Sequence, residues 1–148
     1  MATRHRGTAA ETRALDAYIA LMRAAQAVTE RVHVPLREHD LTVGQFAVLE
    51  AILHKGPLPS GTIARTILIS AGNCTTIVDN LETRELVVRE RSDVDRRQVT
   101  VRLTPEGKKL VTGIFPGHVE RLTGEFGRLS VREQEELRRL CKKLGLED

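Results

Sequence analysis

The chain has 148 residues, 41% of them hydrophobic and 29% charged, with a formal net charge of +3. That is enough apolar material to fold one compact domain with extensions, and it excludes an intrinsically disordered chain. Aromatics are only 3%, with no Trp, which argues against the base-stacking platforms that read single strands. Cys74 and Cys141 are too few for a disulfide framework or a zinc knuckle, which fits a reducing compartment. The first residues, MATRHRGTAAETRALDAY, contain no apolar signal-peptide core, and no apolar run approaches the ~20 residues of a membrane span. A soluble cytoplasmic protein without membrane contact is expected.

Residues 1–8 read as a flexible basic arm. From Ala9 to Leu36 the pattern is helical, with Leu15, Tyr18, Met22, Ala25 and Val32 on one apolar stripe. Ala14, Ala17, Leu21, Ala24 and Val28 form a second stripe beside it, an arc wide enough to be covered on more than one side. Thr42-Val43-Gly44-Gln45 is a capping box, and Phe46, Leu49, Ile52 and Leu53 follow at helical spacing until Gly56 and Pro57. Ser60 is the expected cap of a short third helix carrying Ile63, Ala64 and Ile67. Ser70 is the expected cap of a fourth, with Cys74, Ile77, Val78 and Leu81 on one face.

The period then changes from 3.6 to 2. Val87 to Arg91 reads as one strand, and Val99, Val101 and Leu103 share a face of the next. Thr104-Pro105-Glu106 starts a helix with a cap, a first-turn proline and an acid. Leu110, Val111, Ile114, Phe115, Val119 and Leu122 follow, and Pro116 is expected to kink that helix. Ser130 to Glu133 is a second capping box, leading into Leu137, Leu140, Cys141 and Leu144. The fold class is therefore mainly α with a small β-wing: a winged helix-turn-helix over 41–103, plus a helical dimerisation region over 9–40 and 104–148.

The link TILIS holds the third and fourth helices at a steep angle. The fourth then offers Ser70, Gly72, Asn73, Thr75 and Thr76, with Asn80 further along. These are small polar groups beside orphan N–H donors, suited to phosphates and base edges. An ordinary amphipathic surface helix fits the same residues equally well. The hairpin shifts the balance. Arg96 and Arg97 at its tip are placed to enter a minor groove, and Asp93 and Asp95 are expected to brace their guanidinium groups. A solvated hairpin with incidental ion pairs is the bland reading, but the position directly after a helix-turn-helix favours a wing.

DRRQVTVRLTPEG, from Asp95 to Gly107, resembles the signature of MarR-type transcription regulators: Asp, a basic pair, an alternating strand, then Leu-Thr-x-x-Gly. LTVGQFAVLEAIL and SAGNCTTIVDNLETRELVVR are similar to the same family, so the likeness runs from about Leu15 to Leu144. FAVLEAILHKG and GIFPGHVERL resemble its catechol- and quinone-resistance repressors. The resemblance implies a homodimer on a pseudo-palindromic double-stranded operator, released by a small ligand. It also implies that Ser70 to Thr76 read bases and phosphates, and that Asp95 and Arg97 form the wing-tip pair. Two positions depart from the pattern: Asp40 and Glu85 stand where glycine is usual. A left-handed non-glycine residue costs on the order of 1 kcal/mol, so the chain either carries that cost or ends those helices differently.

Tyr18, Met22, Phe46 and Phe115 are candidates for an aromatic effector cleft between the dimer helices and the DNA lobe, with His33 and His118 as hydrogen-bonding groups. Each also reads as a core or surface residue. Cys74 and Cys141 read as small hydrophobes. Enzyme readings fail: GPLPSGT has P-loop glycine spacing but Thr62 in the lysine's place, there is no Gly-x-Ser-x-Gly, and the histidines have no metal spacing. No cofactor, metal or catalytic residue is expected. The sequence thus describes a dimeric DNA-binding regulator, a repressor released by an aromatic, phenolic or quinone-like effector. The alternative is a winged-helix module that docks another protein.

Overall fold

A computed structural model describes residues 3–145. Its elements are α1 (Ala9–His33), a 3-10 turn (Val34–His39), α2 (Val43–Lys55), β1 (Leu58–Pro59), α3 (Ser60–Thr66), α4 (Ala71–Thr83), β2 (Val87–Arg91), β3 (Val99–Leu103), α5 (Pro105–Phe126) and α6 (Val131–Gly145). The chain divides into two compact units, with boundaries at Val34/Pro35 and Val119/Glu120. Residues 1–2 of the expected basic arm and 146–148 of the expected helical region lie outside the described residues.

The unit from Pro35 to Val119 holds an apolar core. Phe46, Val48 and Leu49 of α2, Ile63 of α3, Cys74, Val78 and Leu81 of α4, Val87 of β2, Val101 of β3 and Val111 of α5 are buried in it. Capping follows the sequence. Thr42 Oγ1 accepts from the Gln45 N–H at 3.1 Å while Gln45 Oε1 accepts from the Thr42 N–H at 3.0 Å. Ser130 and Glu133 close the same box at α6. Thr8 and Glu11 form one at α1 that periodicity alone had not pointed to. Ser60 is not a cap: α3 begins on Ser60 itself, with Pro59 at the N-cap position, and the hydroxyl points to Cys74 Sγ at 3.6 Å. Helix α5 continues through Pro116.

β2 and β3 form the expected hairpin, with Arg89 opposite Val101. A strand too short for alternation to reveal, β1, pairs with β3 and gives the sheet order β1-β3-β2. Pro59 is tolerated there because β1 is an edge.

Among the described residues three non-glycine positions are left-handed: Asp40 (φ 53°), Leu68 (φ 60°) and Glu85 (φ 59°). Each is followed by a residue whose N–H bonds back five positions, Leu41 to Leu36, Ile69 to Ala64 and Leu86 to Leu81, each at 3.0 Å. This is the Schellman closure of a helix, with the hydrophobic residue after the turn folding back onto the core. The two departures from glycine are thus real left-handed caps. Replacing Glu85 by Gly is expected to stabilise the protein by about 0.5–1 kcal/mol, because relief of the Cβ clash outweighs the extra freedom of the unfolded chain. A melting temperature that falls would contradict this.

In the other unit, Arg31 of α1 pairs with Glu125 of α5 at 2.8 Å. The Arg31 guanidinium at that distance holds the Glu125 carboxyl below its ordinary range. The pair's contribution is therefore present at neutral pH and is lost as pH falls through that lowered value. Apart from Val32, no hydrophobic residue of this unit is buried among the described residues.

Candidate nucleic-acid interface

The chemistry of the outer face of α4 is set by which residues the core takes. Burial of Cys74, Val78 and Leu81 turns Gly72, Asn73, Thr75, Thr76, Asp79, Asn80 and Thr83 outward. Ser70 caps the helix, its Oγ accepting from the Asn73 N–H at 3.1 Å. Thr75 and Thr76 donate their hydroxyls to the carbonyls of Ala71 and Gly72, at 3.0 and 3.2 Å. Their protons are thus committed, and what they present outward is an acceptor oxygen and a methyl, the latter suited to a thymine methyl. Gly72 carries a further signal. A Cβ built there meets nothing within 4 Å, so packing within the chain does not require glycine at this position. Glycine in a helix costs about 1 kcal/mol relative to alanine, and the bare backbone it leaves admits close approach from outside.

The turn between β2 and β3 is organised by its own polar groups. Ser92 Oγ accepts from the N–H groups of Val94 and Asp95, and the Gln98 N–H donates to the Asp95 carbonyl at 2.9 Å. Asp95 Oδ1 accepts from the main-chain N–H of Arg97 at 3.0 Å. The expected bracing of a guanidinium is therefore corrected: Asp95 shapes the turn's backbone, because a short carboxylate reaches the N–H two residues on more readily than a long side chain's end. Arg91 supports the same turn, donating to the Arg96 carbonyl at 2.9 Å. Among the described residues no ion pair engages Arg96 or Arg97, and both are exposed.

Two arginines that the sequence did not single out hold this surface together. Arg84, just past α4, donates to the carbonyls of Asp40 and His39 at 2.7 and 3.1 Å. Arg89 of β2 reaches Asp79 at 2.7 Å and Glu82 at 3.2 Å on α4. Period 2 places Arg89 on the inward face with Val87, which was the available signal.

The effector candidates divide between the units. Phe46 is buried with its ring 4.8 Å from His118, and Phe115 lies 4.6 Å from His54 and 6.3 Å from His118. Tyr18 and Met22 are exposed on α1, and the His33 Nδ1–H donates to the Thr29 carbonyl at 2.8 Å. Among the described residues no cluster of His, Cys, Asp and Glu could hold a metal, and no helix is long and apolar enough to cross a membrane.

A MarR family model matches residues 39–98. The HTH-type transcriptional regulator MhqR of Bacillus subtilis is 34% identical over 134 residues, covering 90% of this chain and 92% of that protein. The chain belongs to the MarR family. Its winged helix-turn-helix is thus that of a DNA-binding transcription regulator. The transcriptional regulator HosA of Escherichia coli is 33% identical over 71% of this chain and 78% of its own length. A solved structure of Bordetella bronchiseptica BpsR, concerned with regulation of its DNA binding by 6-hydroxynicotinic acid, superposes with a TM-score of 0.77. It is 27% identical and covers 87% of this chain and 92% of that one. AbsC of Streptomyces coelicolor, a MarR family regulator, gives a TM-score of 0.82 at 20% identity over 95% of both chains, a likeness of fold.

Proposed function

We propose that this MarR-family regulator is a cytoplasmic homodimer that represses by binding a pseudo-palindromic duplex and is released by a small aromatic, phenolic or quinone-like effector. The observation that carries the DNA surface is the pairing of an open helix N-terminus, bare at Gly72, with a wing whose Arg96 and Arg97 are exposed and outside any ion pair among the described residues. Ser70, Gly72, Asn73, Thr75, Thr76 and Asn80 then address the major groove, and Arg96 and Arg97 the minor groove, with Asp95 shaping the tip. Two such surfaces about one helical turn apart, roughly 34 Å, match two half-sites.

The second copy is supported by the helices of the other unit. Leu15, Tyr18, Leu21 and Met22 on α1 and Leu137, Leu140 and Leu144 on α6 are exposed, and α6 buries no residue among those described. Apolar faces of this extent are covered in solution by a symmetric partner. Release by a ligand is supported by the regulation of BpsR by 6-hydroxynicotinic acid. Phe46, Phe115 and His118, whose rings lie together in the unit from Pro35 to Val119, are the residues proposed to receive the effector.

Arg97→Ala tests the wing. Affinity for a duplex selected by the parent protein is expected to fall about tenfold at matched salt, with the dimer and its melting temperature unchanged. Equal binding by variant and parent would refute the wing assignment. Parent protein that selects no duplex at low salt would refute operator binding altogether and leave the protein-docking alternative.

A further inference from the structure

Arg89 occupies an unusual place on the DNA-reading surface. Its position on β2 continues the inward face begun by Val87, and opposite it on β3 stands the buried Val101. At Arg89 the apolar core gives way to a polar joint. One terminal nitrogen of its guanidinium meets Glu82 at 3.2 Å, and the other meets Asp79 at 2.7 Å. Its main-chain N–H donates to the second oxygen of Glu82 at 2.9 Å. Because β2 is an edge strand, that N–H has no strand to bond, and the helix carboxylate covers the edge instead. Three bonds thus tie the wing to the recognition helix at one residue.

The two carboxylates matter for a different reason. Asp79 and Glu82 lie one turn apart on α4, and the side chain of Asp79 is 60% exposed. On a surface shaped only to attract phosphate they are liabilities, since each repels the backbone. Their placement under one guanidinium gives them a mechanical use. We propose that Arg89 is the positioning residue of the DNA-binding surface: it locks the wing to the recognition helix, so that both enter the duplex as one rigid body. The inference rests on the DNA-binding reading above and deepens it.

The mechanical effect is large because the joint lies near the wing's base. Two strand residues and half a turn separate Arg89 from the tip, roughly 15 Å at ~3.3 Å per residue. A rotation of about 10° at the joint moves such a tip by about 3 Å, half the ~6 Å width of a minor groove. A wing free to swing by that amount also loses ordering entropy on binding that a locked wing has already lost.

The test exploits opposite signs. In Asp79→Asn/Glu82→Gln the surface loses two negative charges, so simple electrostatics predicts tighter binding. The locking role predicts the reverse: affinity for a duplex selected by the parent from a random pool falls about tenfold. Hydroxyl-radical protection is then lost in the minor groove under the wing and kept at the recognition helix. Arg89→Ala is expected to show the same footprint, and Arg89→Lys, which keeps one contact, to recover part of it. Melting temperature and dimer mass are recorded for each variant; the isosteric double variant decides the matter if Arg89→Ala fails to fold. Tighter binding by the double variant with an intact wing footprint overturns the inference while leaving DNA binding standing. A parent protein that selects no duplex removes the reading on which it rests.

Discussion

Gly107→Ala is expected to destabilise the protein by about 3 kcal/mol and to lower its melting temperature by about 10 °C. A Cβ built on Gly107 runs into the carbonyl oxygen of Leu86, a main-chain atom, and no rotamer change relieves it. Leu86 has no room to retreat. Its N–H closes α4 on the Leu81 carbonyl, its carbonyl accepts from the Thr104 N–H at 3.1 Å, and its side chain is buried. The glycine that ends Leu-Thr-x-x-Gly is thus the point where the first turn of α5 crosses the base of the wing. Gly113, in the same helix, supplies the control. A Cβ there meets nothing within 4 Å, so Gly113→Ala is expected to stabilise by about 0.5–1 kcal/mol. Thermal unfolding followed by circular dichroism checks both; equal shifts of the same sign would show that the crossing does not constrain the fold.

Leu140→Glu is expected to convert the proposed dimer into monomers, weakening association by roughly a hundredfold. Leu137, Leu140 and Leu144 form one stripe of α6 and are 37%, 47% and 75% exposed in the single chain. Leu21, Val28, Leu122 and Phe126 line an apolar groove of about 470 Å³ in the same unit, with Leu137 and Cys141. A helix that buries none of its described residues draws little stability from its own chain, because isolated helices of this length are marginal in water. A carboxylate placed in a dry interface must be desolvated or must exclude the partner, which costs several kcal/mol. Sedimentation analysis at micromolar concentration measures the outcome. A parent chain that sediments as a monomer would refute the dimer, and a Leu140→Glu variant as dimeric as its parent would place the interface elsewhere.

Much of the local structure was legible because it depends on neighbours in sequence. Thr42 with Gln45, Ser130 with Glu133, and Ser70 before α4 announce helix starts through bonds that span three residues. The change of period at Val87 marked β2 to the residue. The outward face of α4 followed from the apolar residues that had to turn inward. Even the missing glycines were informative, since Asp40 and Glu85 take the left-handed conformation that a glycine pattern implied.

What escaped depends on groups distant in sequence. β1 has two residues and no alternation, and exists only because β3 offers it an edge. The role of Asp95 turned on whether its carboxylate meets a guanidinium or a backbone N–H, which composition leaves open. Arg84 and Arg89 looked like two more surface cations among 23 basic residues. Arg84 bridges more than forty positions to His39 and Asp40, and Arg89 joins a strand to a helix. Periodicity and capping are local physics, carried by hydrogen bonds within a turn or two, so the order of residues alone marks the longer helices, the hairpin strands and the family signature. Which charges meet across the fold, and which glycine must stay bare, are settled only when the core brings remote backbones within a few ångströms.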